Sequence, residues 1–114
     1  MKIIRAKNGI VLEGATCYLA SGKEHLDLQS GKNGACLMKI KPAPHWSQKK
    51  SVNMLMFSVA EIFQNKSIGV ILSGSGDDGA EGLQEINRVG GTSIVQNPAT
   101  CLYKEMAEHG LEQV

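Results

Sequence analysis

The sequence predicts an α/β fold, part of a doubly wound, mostly parallel sheet with an antiparallel β-hairpin or meander at its N-terminal end. Three observations predict it. The first forty residues break into short apolar runs divided by Gly- and Asn-containing turns, whereas residues 51–64 carry apolar side chains at helical spacing. Residues 68–96 then read strand, glycine-rich turn, helix, glycine pair, strand. That order is a βαβ unit, whose crossover is right-handed.

Taken in order, Ile3-Ile4 and Ile10-Val11-Leu12 flank Asn8-Gly9, a dipeptide that tolerates positive φ at both positions and predicts a hairpin. Cys17-Tyr18-Leu19 and His25-Leu26-Asp27-Leu28 flank Ser21-Gly22, and residues 35–41 alternate at Cys36, Met38 and Ile40 after Asn33-Gly34. Pro42, Pro44 and the polar run to Lys50 have no period and read as a surface loop. Val52, Leu55, Met56, Val59, Ile62 and Phe63 line one face of a helix running to about Gln64, with Ser51 as its N-cap. Ile68-Gly69-Val70-Ile71-Leu72 is a continuous apolar run, as in a strand covered on both faces. Ala80, Leu83, Ile86 and Val89 make the next helix, stopped by Gly90-Gly91 before Ile94-Val95.

A chain of 114 residues is one domain. Twelve bases against eleven acids exclude an acidic tail or a basic nucleic-acid coat. The halves differ: residues 1–60 hold nine bases and three acids, residues 61–114 three bases and eight acids, so any polyanion contact belongs to the first half. No apolar run is long enough to span a membrane, and no charged patch precedes an apolar stretch as in a signal peptide. Cys17, Cys36 and Cys101 are odd in number and form no C-x-x-C pair, so neither a zinc site nor a disulfide framework is expected and a reducing cytoplasm is the default. All three, like Met38, Met54 and Met56, read as packing residues.

Residues 73–79, Ser-Gly-Ser-Gly-Asp-Asp-Gly, lie where a buried strand ends and a helix begins, the place where open parallel sheets bind ligands. Gly74, Gly76 and Gly79 satisfy the dinucleotide pattern G-x-G-x-x-G. Asp77 and Asp78 oppose it, since a like-charge pair about 4 Å apart costs roughly 4 kcal/mol at an effective dielectric of about 20. The acid that should hold a ribose about 20 residues later is also missing. Two plainer readings stay open. Either aspartate can cap the following helix, or the pair can help hold magnesium, which needs further oxygen ligands that the sequence does not identify.

Residues 70–83, from Val70 through Asp77-Asp78-Gly79-Ala80 to Leu83, then Gly90-Gly91-Thr92 and Ile94 to Cys101, resemble the chemotaxis protein-glutamate methylesterase family. That family has a G-M-G-x-D-G-A turn followed by G-G-x-T-I and Q-x-x-A-T. Residues 17–26 are similar to its "YIAPG…H" hairpin, and Ser51-Val52-Asn53 through Ala60 to its "PSVDVLF-SVA" helix. The resemblance implies a doubly wound α/β esterase that hydrolyses glutamate methyl esters on chemoreceptors in chemotaxis signalling, with no cofactor and no metal. It places the family's catalytic aspartate on Asp78, which would orient the histidine of a Ser-His-Asp triad. Gly74, Ser75, Gly76, Gln48, Lys49 and Lys50 would border the substrate cleft.

The departures are informative. The family methionine of the turn is Ser75 here, a histidine before the helix aligns with Gln48, and the helix motif's proline and aspartate are Lys50 and Asn53. Neither the family's serine nucleophile, on a turn near the start of its domain, nor the histidine that follows it has a match. The resemblance therefore implies the carboxyl-terminal portion of the domain, residues 1–41 forming the hairpin or meander and 51–109 a helix plus the βαβ unit. Ser73 and Ser75 lack G-x-S-x-G and need a base, for which His25, His45 and His109 are the only histidines. His25 falls on a strand, His45 in a Pro-flanked loop and His109 near the end of the chain.

Lys39, Lys41, Lys49 and Lys50 surround His45-Trp46, with no acid between Asp27 and Glu61. Such a loop is commonly a solvated face; it also suits an acidic partner or a single strand of nucleic acid, and the family reading assigns it to Glu-rich receptor helices rather than nucleic acid. Two functions of different class follow. The chain contributes the aspartate of a methylesterase whose serine and histidine come from an upstream half-domain, with or without a regulatory domain, or it is an inactive binding or assembly module that keeps the fold. Exposed sheet edges would favour self-association in the second case.

Overall fold

The computed structural model describes residues 1–44, 46 and 50–113. Among the described residues, six strands and three α-helices follow in the order β1 (Lys2–Arg5), β2 (Thr16–Leu19), β3 (Glu24–Ser30), β4 (Cys36–Pro42), α1 (Ser51–Phe63), β5 (Ile68–Ile71), α2 (Ala80–Arg88), β6 (Thr92–Val95) and α3 (Glu105–Gln113). The strands pair two by two: β1 with β2 in parallel, β3 with β4 antiparallel, β5 with β6 in parallel. The architecture is mixed α/β with parallel pairs and one antiparallel hairpin, as the sequence predicts. Among the described residues no helix is long and apolar enough to cross a membrane.

The first hairpin does not form. Gly9 does take positive φ, at +84°, but β1 turns away from residues 10–12 to lie parallel to β2, Ile3 opposite Cys17 and Ile4 opposite Tyr18. Residues 9–12 run instead along β4: Gly9 N–H donates to Met38 O, Met38 N–H to Ile10 O and Leu12 N–H to Cys36 O, each at 2.8 Å. A local turn signal is thus satisfied while tertiary pairing decides the strand partner. The strands flanking Ser21-Gly22, β2 and β3, do not pair either; the antiparallel pair is β3 with β4 around Asn33-Gly34, Leu26 opposite Ile40 and Leu28 opposite Met38. Ala6, Leu26 and Met38 make its buried core, with Tyr18, Ile40 and Leu55 packed against them. Cys17 and Cys36 are half-buried at its margin, while Cys101 is buried.

The second half is a βαβ unit. Alternate residues of β5 face opposite ways, Gly69 and Ile71 inward, Ile68 and Val70 outward. A Cβ on Gly69 would stand 2.9 Å from Leu83 Cδ2 and 3.3 Å from Ile86 Cγ1, so the missing side chain is what lets α2 lie close on the strand. Leu83 and Ile86 are fully buried there, and Ala107 of α3 closes the layer. Past α2, Gly90 sits at φ +84° and Gly91 N–H reaches back to Ile86 O at 2.9 Å, the left-handed stop expected of the glycine pair.

Ser51 is not the cap of α1. It is the first helical residue, and Lys50, at the capping position, makes no side-chain cap. The first amides of α1 find their acceptor 26 residues away.

Candidate functional site at the end of strand 5

Residues 72–79 leave the carboxyl end of β5 and enter α2 through Gly79, which has φ +101°. A side chain there would be strained by backbone angle and would place its Cβ 2.5 Å from Ile71 Cδ1. This tight entry points the two preceding aspartates in different directions. Asp77 is exposed and its carbonyl accepts from Ala80 N–H at 3.2 Å. Asp78 is half-buried and turns to α1: Oδ2 accepts from Val52 N–H and Oδ1 from Asn53 N–H, both at 2.9 Å.

Asp78 therefore caps a helix, but not the one it precedes. Those two N–H groups belong to the first turn of α1, where no local side chain serves them, and the carboxylate stands at the positive end of that helix. The start of α2 is served in return. Asn53 Oδ1 accepts from Gly79 N–H at 2.8 Å and from Gly82 N–H at 2.9 Å, and Asn53 itself is buried. A bidentate carboxylate and one amide oxygen thus fasten two helix N-termini to each other.

Each Asp78 oxygen retains acceptor capacity, because an ionised carboxylate offers about four lone-pair sites. Asp78 also lines a crevice of about 380 Å³ together with Ser75, Gly76, Asp77 and Met106. The carboxylate is thus held by two backbone amides of α1, in a residue that lines the crevice. Gly74 lies against the same wall: its N–H donates to Tyr103 O at 3.0 Å and its carbonyl accepts from Met106 N–H at 3.1 Å. Gly76 N–H reaches Glu105 Oε2 at 3.4 Å.

Among the described residues, no histidine is hydrogen-bonded to either serine of the turn. Ser73 is a tether, its hydroxyl accepting from Tyr103 N–H at 3.0 Å and donating to Tyr103 O at 3.3 Å. Ser75 is exposed in the crevice. His25 is buried on β3, and His109 lies within α3, its Nδ1 3.8 Å from Glu112 Oε2. Among the described residues, no group of three or more His, Cys, Asp or Glu side chains is placed to hold a metal ion.

Of the remaining expected cleft residues, Lys50 is exposed at the start of α1, two residues before the amide that binds Asp78 Oδ2. Gln48, Lys49 and His45 lie outside the described residues. Lys41, in the basic stretch, is drawn to Asp27 across the hairpin, Nζ to Oδ2 3.3 Å.

Two participants escape sequence reasoning. Met106 lines the crevice from α3, and Glu105 of the same helix accepts from Gly76 N–H. No local spacing marks them, since each acts about 25 to 30 residues away along the chain.

Residues 1–114 match the family model described as CheB methylesterase. A protein-glutamate methylesterase/protein-glutamine glutaminase 1 of Rhizobium johnstonii is 41% identical over 98 residues, 85% of this chain and 28% of that protein. A protein-glutamate methylesterase/protein-glutamine glutaminase of Pyrococcus horikoshii is 33% identical over 109 residues, 94% of this chain and 29% of that one. The crystal structure of the Thermotoga maritima CheB methylesterase catalytic domain matches with a TM-score of 0.85 at 29% identity, covering 95% of this chain and 57% of that chain. This chain spans less than a third of the length of these curated relatives. A family match along residues 1–114, joined to a shared fold, shows that the chain belongs to the CheB methylesterase family.

Proposed function

We propose that this chain supplies the aspartate of a protein-glutamate methylesterase site acting on methylated chemoreceptor glutamates in the cytoplasm, with serine and histidine contributed by sequence outside these 114 residues. The observation that carries the reading is the Asp78 carboxylate, fixed by two backbone N–H groups in a residue that lines the crevice. Fixed in this way, it would accept a hydrogen bond from the Nδ1–H of an imidazole, set its tautomer and stabilise the imidazolium. The other imidazole nitrogen takes the serine proton as the serine oxygen attacks the ester carbonyl. That proton then passes to the departing methoxide, releasing methanol, and water repeats the sequence to free the glutamate carboxylate.

The test is methanol release from methylated receptor by this chain combined with a serine- and histidine-bearing segment. Asp78→Asn should lower the rate by roughly 10³- to 10⁴-fold while the chain stays folded, because an amide orients the wrong tautomer. A rate unchanged in that variant would remove Asp78 from the reaction.

One observation favours a second reading. The exchange of caps between Asp78 and Asn53 gives the aspartate a complete structural role, so a binding or assembly module, self-associated or not, would keep it without catalysis. Ser75, Lys50 and Asn53, which depart from the family pattern around this turn, point the same way. Absence of methanol release from a stable complex of the two segments would decide for it.

A further inference from the structure

We propose that Met106 determines specificity at the crevice by packing on the methyl group of the glutamate ester; this rests on the function proposed above. Among the described residues that line the crevice, Met106 carries the only long apolar side chain. Ser75 brings a hydroxyl, Gly76 no side chain, and Asp77 and Asp78 carboxylates. A glutamate γ-methyl ester is polar at its carbonyl and apolar only at its O–CH3 end. Being neutral, it escapes the repulsion that two aspartates exert on a γ-carboxylate. Its methyl group has one side chain here on which to shed water, and that is the thioether.

Met106 is held where this contact needs it. It is the second residue of α3, and its N–H donates to Gly74 O at 3.1 Å, which ties the start of the helix to the turn. The side chain lies over the same glycine: a Cβ on Gly74 would stand 3.0 Å from both Sδ and Cε, so bare backbone at position 74 lets the thioether rest against the turn. Met106 is nonetheless only half-buried, leaving part of its surface uncovered beside the crevice. Met38 is fully buried instead, and Met56 packs against Gly82. An unbranched, polarisable thioether adapts its shape to a small apolar group. Contact with O–CH3 is made in the bound ester and kept until methanol leaves, so it acts on KM rather than on kcat.

The chain, with its methionine methyl groups isotope-labelled, is combined with the serine- and histidine-bearing segment, alanine replacing that serine so that the ester persists. A receptor peptide carrying one glutamate γ-methyl ester is then added. An NMR cross-peak is expected from the ester O–CH3 to the Cε methyl of Met106 and to no other methionine of the chain. With the serine restored, Met106→Ala should raise KM for methylated receptor about tenfold at constant kcat, and Met106→Leu should bring it back. Inhibition by the same peptide with a γ-amide in place of the ester should stay within about twofold, since the amide has no methyl to lose. Circular dichroism verifies that the variants fold. No cross-peak to Met106, or equal weakening of ester and amide in Met106→Ala, overturns the proposal. A cross-peak in a complex that releases no methanol with the serine present leaves the contact standing and overturns the catalytic reading instead.

Discussion

Asp78 and Asn53 exchange helix caps: Asp78 Oδ1 accepts from Asn53 N–H at 2.9 Å, and Asn53 Oδ1 accepts from the N–H of Gly79, the residue after Asp78, at 2.8 Å. The position of the carboxylate is therefore set jointly by two helices rather than by the flexible turn that bears it. Side-chain entropy is spent once, in folding, and the carboxylate meets the crevice already oriented.

Removing the amide should be costly. Asn53→Ala leaves the buried N–H groups of Gly79 and Gly82 without this acceptor, and a loss of about 1–3 kcal/mol is expected in urea denaturation. Asn53→Asp keeps an acceptor and should lose less. Equal stability of Asn53→Ala and the parent chain would show that the two amides find another partner.

The carboxylate itself has a separable structural share. Asp78→Asn retains one acceptor oxygen where Asp78→Leu retains none, so protection of the Val52 and Asn53 amides from hydrogen exchange should fall from parent to Asn to Leu. The expected loss of stability for Leu is about 1–2 kcal/mol. Unchanged exchange in the Leu variant would refute the cap.

Packing between α1 and α2 makes a third prediction. A Cβ at Gly82 would lie 2.6 Å from Met56 Cβ and 2.8 Å from its Sδ, so Gly82→Ala forces the helices apart and should destabilise by about 1–3 kcal/mol. Gly74→Ala meets only the flexible end of Met106, Cε and Sδ at 3.0 Å, and should cost less. Thermal midpoints in the reverse order would contradict this contact analysis.

The exposed pair on α2 predicts a pH effect. Arg88 Nε donates to Glu85 Oε2 at 2.9 Å and Oε1 at 3.0 Å, and these hydrogen bonds hold the Glu85 carboxyl below its ordinary range; slight desolvation opposes them and the guanidinium charge adds to them. A depressed folded value contributes stability above the unfolded carboxyl range and loses it as pH falls through the folded value. Arg88→Ala should move the Glu85 titration upward by NMR, and the stability gap between parent and variant should close between about pH 6 and pH 3. A titration that stays where it was would dismiss the interaction.

How far the sequence could be read depended on the range of the forces involved. The helix at Ser51–Phe63, the strand at Ile68–Ile71 and the stop at Gly90-Gly91 follow from side chains a few residues apart, and all three are present. The partner of β1 was not legible. Asn8-Gly9 makes its turn, but the parallel register with β2 is chosen by packing of Ala6 and Tyr18 on the Met38 core. Asp78 was found through resemblance of its turn to a family, whereas its grip on α1 and the return grip of Asn53 span 25 or more residues and carry no periodic signal. Met106 was invisible for the same reason.

The exchanged caps also bear on the order of folding. Neither helix start is complete while the other is absent, so half-formed states with only α1 or only α2 in place retain unsatisfied amides at the frayed end. Accumulation of such species is discouraged, and the two helices should appear in one kinetic phase, with substitutions at Asn53 or Asp78 slowing both together.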